Sequence, residues 1–342
     1  MKLDERKFLI LQAIIDDYIT TAVPVGSRTI SRKAGVGFSP ATIRNEMSDL
    51  EELGYLDQPH TSAGRIPSYK AYRFYVDRLL KVGKLSDEDA RRIQGHIDRR
   101  TGQIEEVIRN AAQVLSDMTQ YTSLVMPPQS NTLRINRVQL VQVNDNTALM
   151  IVVTNAGIVK DTVIRIPEEM HADHLYSISK MLTEMLKDRP MHEVRAEFAA
   201  MFRDMQSHRR LFANVLDVLE NELREDHASD MVVGGSANLL NYPEYSDIEK
   251  ARNFLTVLES KEKLYPLLQQ AGGMEFTIRI GPENKVPELK DCSVITASYR
   301  VGNHTSGTLG IIGPTRMNYS RVISVLDYMG KAISDLLSGN GQ

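Results

Sequence analysis

A single cysteine in 342 residues, Cys292, leaves no internal disulfide and too few thiols for a cysteine-based zinc site, and it fits a reducing compartment. No apolar run approaches the roughly 18 residues that a membrane-spanning helix requires. The stretch from Phe8 to Ile15 is apolar, but Asp4 and Glu5 precede it, Gln12 interrupts it and no small-residue cleavage site follows, so it reads as a helix and not as a signal segment. The expectation is a cytoplasmic chain with no membrane partner. An excess of positive charge is also missing. A net charge of -3 excludes a uniformly basic nucleic-acid binder, so any DNA face must arise from local charge placement.

Catalytic and metal-binding constellations are equally scarce. His171 and His174 stand three residues apart with no third ligand in view. Gly234, Gly235 and Ser236 lack the lysine of a phosphate-binding loop and the glycine spacing of a dinucleotide site, and read as a turn. Cys292 has no histidine near it in sequence and reads as a buried structural residue. No cofactor, no metal and no enzymatic activity are expected.

What is present is an ordinary globular composition, 42% hydrophobic and 25% charged, at a length that suggests two or three domains. Phe8, Leu11, Ile15 and Tyr18 mark one face of a first helix. A break at Pro24 follows, and Ser27 is placed to cap a second short helix through about Lys33. The stretch Ser39 to Pro67 then predicts a third helix, capped by Ser39 with Pro40 in its first turn, followed by two short strands around a glycine-containing loop. Three helices and a β-ribbon are the layout of a winged helix, which sets its third helix in the DNA major groove and its ribbon over adjacent backbone.

Charge placement supports that reading. No Asp or Glu occurs between Asp17 and Glu46, where Arg28, Arg32, Lys33 and Arg44 lie; none occurs between Asp57 and Asp77, where His60, Arg65, Lys70 and Arg73 lie. Ile43, Met47 and Leu50 should face the core. Ala41, Asn45, Ser48 and Glu52 should face outward, with Thr42 and Arg44 on the flanks. Asp49, Glu51 and Glu52 would repel phosphate from the C-terminal half of the helix, so entry by the N-terminal half is expected, where the dipole also favours anions.

Beyond the ribbon, Tyr69, Tyr72 and Tyr75 form a stripe at helical spacing that reads as core, and Ser86 before Asp87, Glu88 and Asp89 starts another helix. Helix continues to about Tyr121. Strand periodicity runs from Thr122 to Ile166, a helical block follows, and strands resume after residue 286 before a last helix, Ser320 to Leu337. Strands, a mostly helical block and matching strands suggest one α+β domain with a second inserted into it.

VPVGSRTISRKAG, FSPATIRNEMSDLEELGYLDQPHTSAGRIPS, GGSANLLN and GTLGIIGPTRMNYSRVISVLDYM together resemble the heat-inducible transcription repressor family HrcA. The resemblance implies an α+β multidomain homodimer: a winged helix over 1–80, a linker and connecting helix over 81–121, a GAF-like domain over 122–188 and 286–342, and an inserted mostly helical α/β dimerisation domain over 189–285. It further implies repression of chaperone operons of the GroE and DnaK type through an inverted-repeat operator, CIRCE, with activity maintained by the GroEL chaperonin and lost on heat shock. The Met- and Phe-rich helices of the insert are then the segment the chaperonin is expected to capture on warming.

On the predicted head, Asn45 is placed to pair bidentately with an adenine edge, Arg44 to take guanine or phosphate, and Thr42 to touch a thymine methyl, with Ser39 and Ala41 on the same end of the helix. Ser27, Arg28 and Thr29 are expected on backbone phosphates, and His60, Thr61, Ser62, Gly64 and Arg65 of the wing on phosphate or the minor groove. The bland alternatives are a solvated Asn45, a capping Thr42 and an Arg65 that serves the tyrosines after it. A different class of function also stays open, a ligand-responsive regulator of the GAF type that senses a small molecule.

Overall fold

The computed structural model describes residues 3–60, 63–80, 83–96, 104–128, 134–154, 159–167, 170–189, 231–269, 276–301 and 305–337. Thr61 and Ser62 of the wing, and the Met- and Phe-rich stretch from Met191 to Leu223, lie outside the described residues. The architecture is mixed α+β.

The chain begins with α1 (Glu5–Thr21), started by Asp4, whose side chain accepts from the Lys7 N–H at 2.8 Å. Next come α2 (Ser27–Ser31), α3 (Pro40–Glu52) and a two-stranded antiparallel ribbon, β1 (Leu56–Asp57) with β2 (Ile66–Pro67). Ile10, Leu11, Ile14 and Ile15 of α1 and Ile43, Met47 and Leu50 of α3 close a common core with Ile30 and Leu56. After the ribbon, α4 (Tyr69–Phe74) continues into a π-helical turn over Tyr75–Leu79.

The main body starts with α5 (Asp87–His96) and α6 (Ile104–Thr119) and is built on a five-stranded antiparallel sheet. Its strands are β3 (Thr122–Met126), β7 (Val232–Gly234), β8 (Phe276–Ile280), β9 (Cys292–Val301) and β10 (Thr305–Pro314), in the order β7-β3-β10-β9-β8. Both faces are covered, which is why these strands read as nearly continuous apolar runs. Val125, Ile295, Leu309 and Ile311 face α6 and the last helix, α10 (Tyr319–Leu337). Leu124, Met126, Val294 and Ile312 face α8 (Ile248–Glu259) and α9 (Lys261–Gln269) through Phe254, Val257, Leu264 and Leu268.

Between β3 and β7 the chain makes an excursion: β4 (Ile135–Asn144), β5 (Thr147–Thr154) and β6 (Val159–Arg165) form a separate antiparallel sheet, and α7 (Ala172–Leu186) packs on it over a core of its own. Hydroxyls of α7 also cover the outer edge of β4. Ser179 Oγ accepts from the Leu140 N–H at 2.8 Å and Thr183 Oγ1 from the Val138 N–H at 3.1 Å, which blunts an edge that would otherwise template further pairing.

This corrects the expectation that the strands of 122–166 and those after 286 form one meander. Only Thr122–Met126 joins the later strands, and β7 and β8, expected in the insert, belong to the five-stranded sheet. The division between sheets therefore falls between Met126 and Ile135 and not at residue 188. Alternation along a strand reports that one face is buried but not which strand lies beside it. Within the block expected to be helical, Ile248–Glu259 and Lys261–Gln269 are two helices separated at Ser260.

The N-terminal unit and the body share one continuous buried cluster. Tyr72 of α4 lies against Tyr319, with ring centroids 6.3 Å apart. Arg73 Nε donates to Glu283 at 2.9 Å, and its Nη2 reaches the Ile278 carbonyl at 2.7 Å. Tyr69 donates to Asp291 at 3.1 Å; burial, with Asp291 beside it, pushes this phenol up to about 12. From the other side Arg316 pairs with Glu244 and donates to the Ile19 carbonyl at 3.1 Å. Tyr69 and Tyr72 of the tyrosine stripe thus lie at the seam between head and body, while Tyr75 donates to Asp16 of α1 at 3.1 Å.

Candidate nucleic-acid interface

The first turns of α3 are organised by Ser39, whose Oγ accepts from the Thr42 N–H at 3.1 Å and lies 2.9 Å from the Thr42 hydroxyl. Thr42 is half-buried and its hydroxyl is engaged in the cap, which leaves its methyl as the group available outward. Ala41, Arg44 and Asn45 are exposed, and neither Arg44 nor Asn45 takes a side-chain partner among the described residues. Arg28, Thr29 and Arg32, from the start and end of α2, are exposed in the same way.

Ser27 does not fit its expected role. Gly26 occupies the cap position, and Ser27 is the first residue inside α2 and 8% exposed. The cap expected of Ser27 therefore falls to Gly26, and the Ser27 side chain is mostly covered. The spacing that suggests a Ser cap cannot tell Ser27 from its neighbour Gly26, which tolerates the same extended backbone.

In the wing, His60 is exposed. Gly64 is needed for a different reason from the one expected. A Cβ there would lie 2.5 Å from the Val25 carbonyl oxygen, so the close approach that demands glycine is to the protein's own backbone. Val25 and Arg65 exchange backbone hydrogen bonds at 2.8 and 2.9 Å, which ties the wing to the segment leading into α2. The Arg65 side chain turns inward to Glu51, with Nε at 2.9 Å and Nη2 at 2.7 Å from Oε2. Its partner is α3, not the tyrosines that follow and not solvent.

The acid-free windows of the sequence are therefore not acid-free in space. Lys33 pairs with Asp17 at 2.6 Å, Arg65 with Glu51 and Arg73 with Glu283, while Lys70 donates to the Leu53 carbonyl at 2.7 Å, just past the end of α3. Arg28, Arg32, Arg44 and His60 remain outward. Three of the four acids of α3, Glu46, Asp49 and Glu51, are correspondingly paired. Glu46, 8% exposed, accepts from Lys7 at 2.8 Å and Arg6 at 3.3 Å, and Asp49 pairs with Lys7 at 2.9 Å. Those carboxylates raise the Lys7 ammonium above the ordinary lysine range. This clamp is absent from the residues singled out by sequence. Its signal was a glutamate at position 46, within the buried spacing 43, 47 and 50.

Residues 105–323 match the family described as "HrcA protein C terminal domain". The chain belongs to the HrcA family. Its relatives named "Heat-inducible transcription repressor HrcA" extend the match through the head: that of Ruminiclostridium cellulolyticum is 44% identical, covering 98% of this chain and 97% of its own, and that of Pelotomaculum thermopropionicum is 41% identical over the same shares. A crystal structure described as a hypothetical protein at 2.2 Å resolution has the same fold, with a TM-score of 0.69 and 27% identity, covering 99% of this chain and all of that one. Among the described residues, no helix is long and apolar enough to cross a membrane.

Proposed function

We propose that this HrcA chain represses heat-inducible transcription by binding double-stranded DNA as a homodimer, with the N-terminal unit acting as a winged helix. The observation that carries the reading is the N-terminal half of α3. Among the described residues, Arg44 and Asn45 stand outward without side-chain partners on a helix whose Thr42, Glu46, Asp49 and Glu51 are committed, and Arg28, Thr29 and Arg32 add donors from the preceding helix and its end. Arginine and asparagine are the residues that pair bidentately with guanine and adenine edges in the major groove. Phosphate contacts fall to Arg28, Thr29, Arg32 and His60. Ser27 and Arg65 are assigned to holding the helix and the wing in place.

The resemblance further suggests the inverted repeat CIRCE, chaperone operons of the GroE and DnaK type, and maintenance of the active form by GroEL. An inverted repeat calls for a two-fold dimer with its recognition helices one or more turns of DNA apart. A surface suited to that pairing is the open side of the excursion sheet, where Val141, Val143, Val159 and Val163 are 41%, 60%, 54% and 61% exposed, opposite the side that α7 covers. The main body is assigned to a GAF-like role.

The test is a titration of the purified chain against a duplex carrying the inverted repeat and against a scrambled duplex, repeated over a range of salt. Specific binding about a thousandfold tighter than to the scrambled duplex is expected. Equal affinity for the two would end the reading. Repeating the titration after mild heating, with and without GroEL, tests the chaperonin link. Recovery of operator binding only with GroEL is expected.

A further inference from the structure

The short helix α4 is bonded on two sides. Tyr69, Tyr72 and Arg73 recur at the i, i+3, i+4 spacing of one helix face, and each finds a partner in the body. Tyr69 donates to Asp291, Tyr72 lies against Tyr319, and Arg73 takes Glu283 together with the Ile278 carbonyl. Phe74 and Tyr75 turn the other way, into the head. Phe74 meets the rings of Phe8 and Tyr55 edge-on, with centroids 6.2 and 5.6 Å away, while Tyr75 donates to Asp16 of α1. Tyr55 follows closely on the end of α3, and Lys70 sets its ammonium 4.5 Å from the centre of the same ring. The orientation of α3 is thereby tied to the body through α4.

A second attachment lies on another helix of the head. Arg316, in the turn between β10 and α10, is 8% exposed, and its Nη1 donates to the Ile19 carbonyl at 3.1 Å. Ile19 is in the last turn of α1, where carbonyls lose their helical partners. Glu244 holds the other side of the guanidinium, with Nη2 at 3.2 Å from Oε2, and the Tyr242 ring lies 5.4 Å from it. The connecting segment is tied down as well. The Gly83 N–H donates to Ser320 Oγ at 3.3 Å, and Ser324 Oγ donates to the Gly83 carbonyl at 2.7 Å. One contact would let the head swivel, whereas two on different helices, with the connection held, leave it one angle.

We infer, resting on the DNA-binding and homodimer reading above, that Arg73 and Arg316 are positioning residues that fix the angle of each head on its body and so restrict the dimer to one spacing of DNA half-sites. Neither is assigned a DNA contact. A rigid pair of heads accepts only half-sites whose separation and helical phase match it, whereas swivelling heads accept several phases at a lower effective concentration.

The full chain, Arg73→Gln, and Arg73→Gln combined with Arg316→Gln are to be titrated against three duplexes. These carry a single half-site, the inverted repeat, and the repeat with two base pairs added between its halves, which turns one half by about 70°. The added pairs should cost the unsubstituted chain about a hundredfold in affinity, Arg73→Gln about twentyfold or less and the double variant about fivefold or less, with single half-site affinity equal in all three. Arg73 is only half-buried, so Arg73→Gln alone carries the test if the buried Arg316 is needed for folding. Hydrogen exchange without DNA reads the docking itself: the amides of α4 should exchange about tenfold faster in the variants and those of α3 at an unchanged rate. Unchanged exchange in α4, a spacing penalty as large in the variants as in the unsubstituted chain, or a loss on the single half-site equal to that on the repeat would each overturn the assignment. Failure of the unsubstituted chain to prefer the repeat over a scrambled duplex would instead end the DNA-binding reading, and the spacing role with it.

Discussion

Along α3, the first turns expose Ala41, Arg44 and Asn45 with no side-chain partner among the described residues, whereas the last turns commit Glu46 and Asp49 to α1 and Glu51 to the wing. One helix thus carries an open end and a mounted end. The mount is ionic because the face that meets α1 includes Glu46 among apolar residues, and a buried carboxylate is tolerated only when it is paired. The acidic residues expected to limit DNA contact also tie the C-terminal half of α3 to α1 and to the wing.

Substitutions at the two ends should separate binding from stability. The largest effect is expected from Arg44→Ala combined with Asn45→Ala, which should weaken operator binding by about a hundredfold or more in fluorescence anisotropy while the melting temperature stays within about 1 °C. A parallel fall in stability would erase the distinction between the two ends. Glu46→Ala should do the reverse, costing about 2 kcal/mol in urea unfolding and leaving the affinity of the folded protein unchanged.

Arg65→Ala and Glu51→Gln sharpen the comparison, since they break one ion pair from its two sides. Each should cost about 0.5 to 1 kcal/mol, and neither should alter the salt slope of operator binding. A slope reduced by about one in Arg65→Ala alone would return Arg65 to the phosphate contacts. The smallest effect concerns pH. Lys7 has a folded pKa raised above the ordinary 10.5, so its contribution is fully present below that value and is lost only as pH rises through the higher folded one. The cost of Lys7→Met in urea unfolding should therefore agree to within about 0.3 kcal/mol between roughly pH 7 and 9.5.

The head was largely legible because its signals are local. Ser39 with Pro40 and the apolar spacing of Ile43, Met47 and Leu50 each specify structure within a few residues. What escaped was non-local: the partners of Arg65, Lys7 and Lys33, and the separation of β4–β6 from β3, depend on residues far apart in the chain or on which strand pairs with which. Acid-free windows in sequence proved an unreliable guide, because Lys33 finds an acid in α1 and Arg73 finds one in the body.

The pairing of β3 with β7 carries a consequence for how the molecule is put together. Val125 lies opposite Val232 and Ser123 opposite Gly234, so the chain that departs after Met126 comes back to the strand it left. The ends of the whole excursion already meet as the arms of a hairpin. The described part of the excursion, β4–β6 with α7, therefore adds a sheet and a core of its own while the five-stranded order is closed by β3 and β7 alone at that edge.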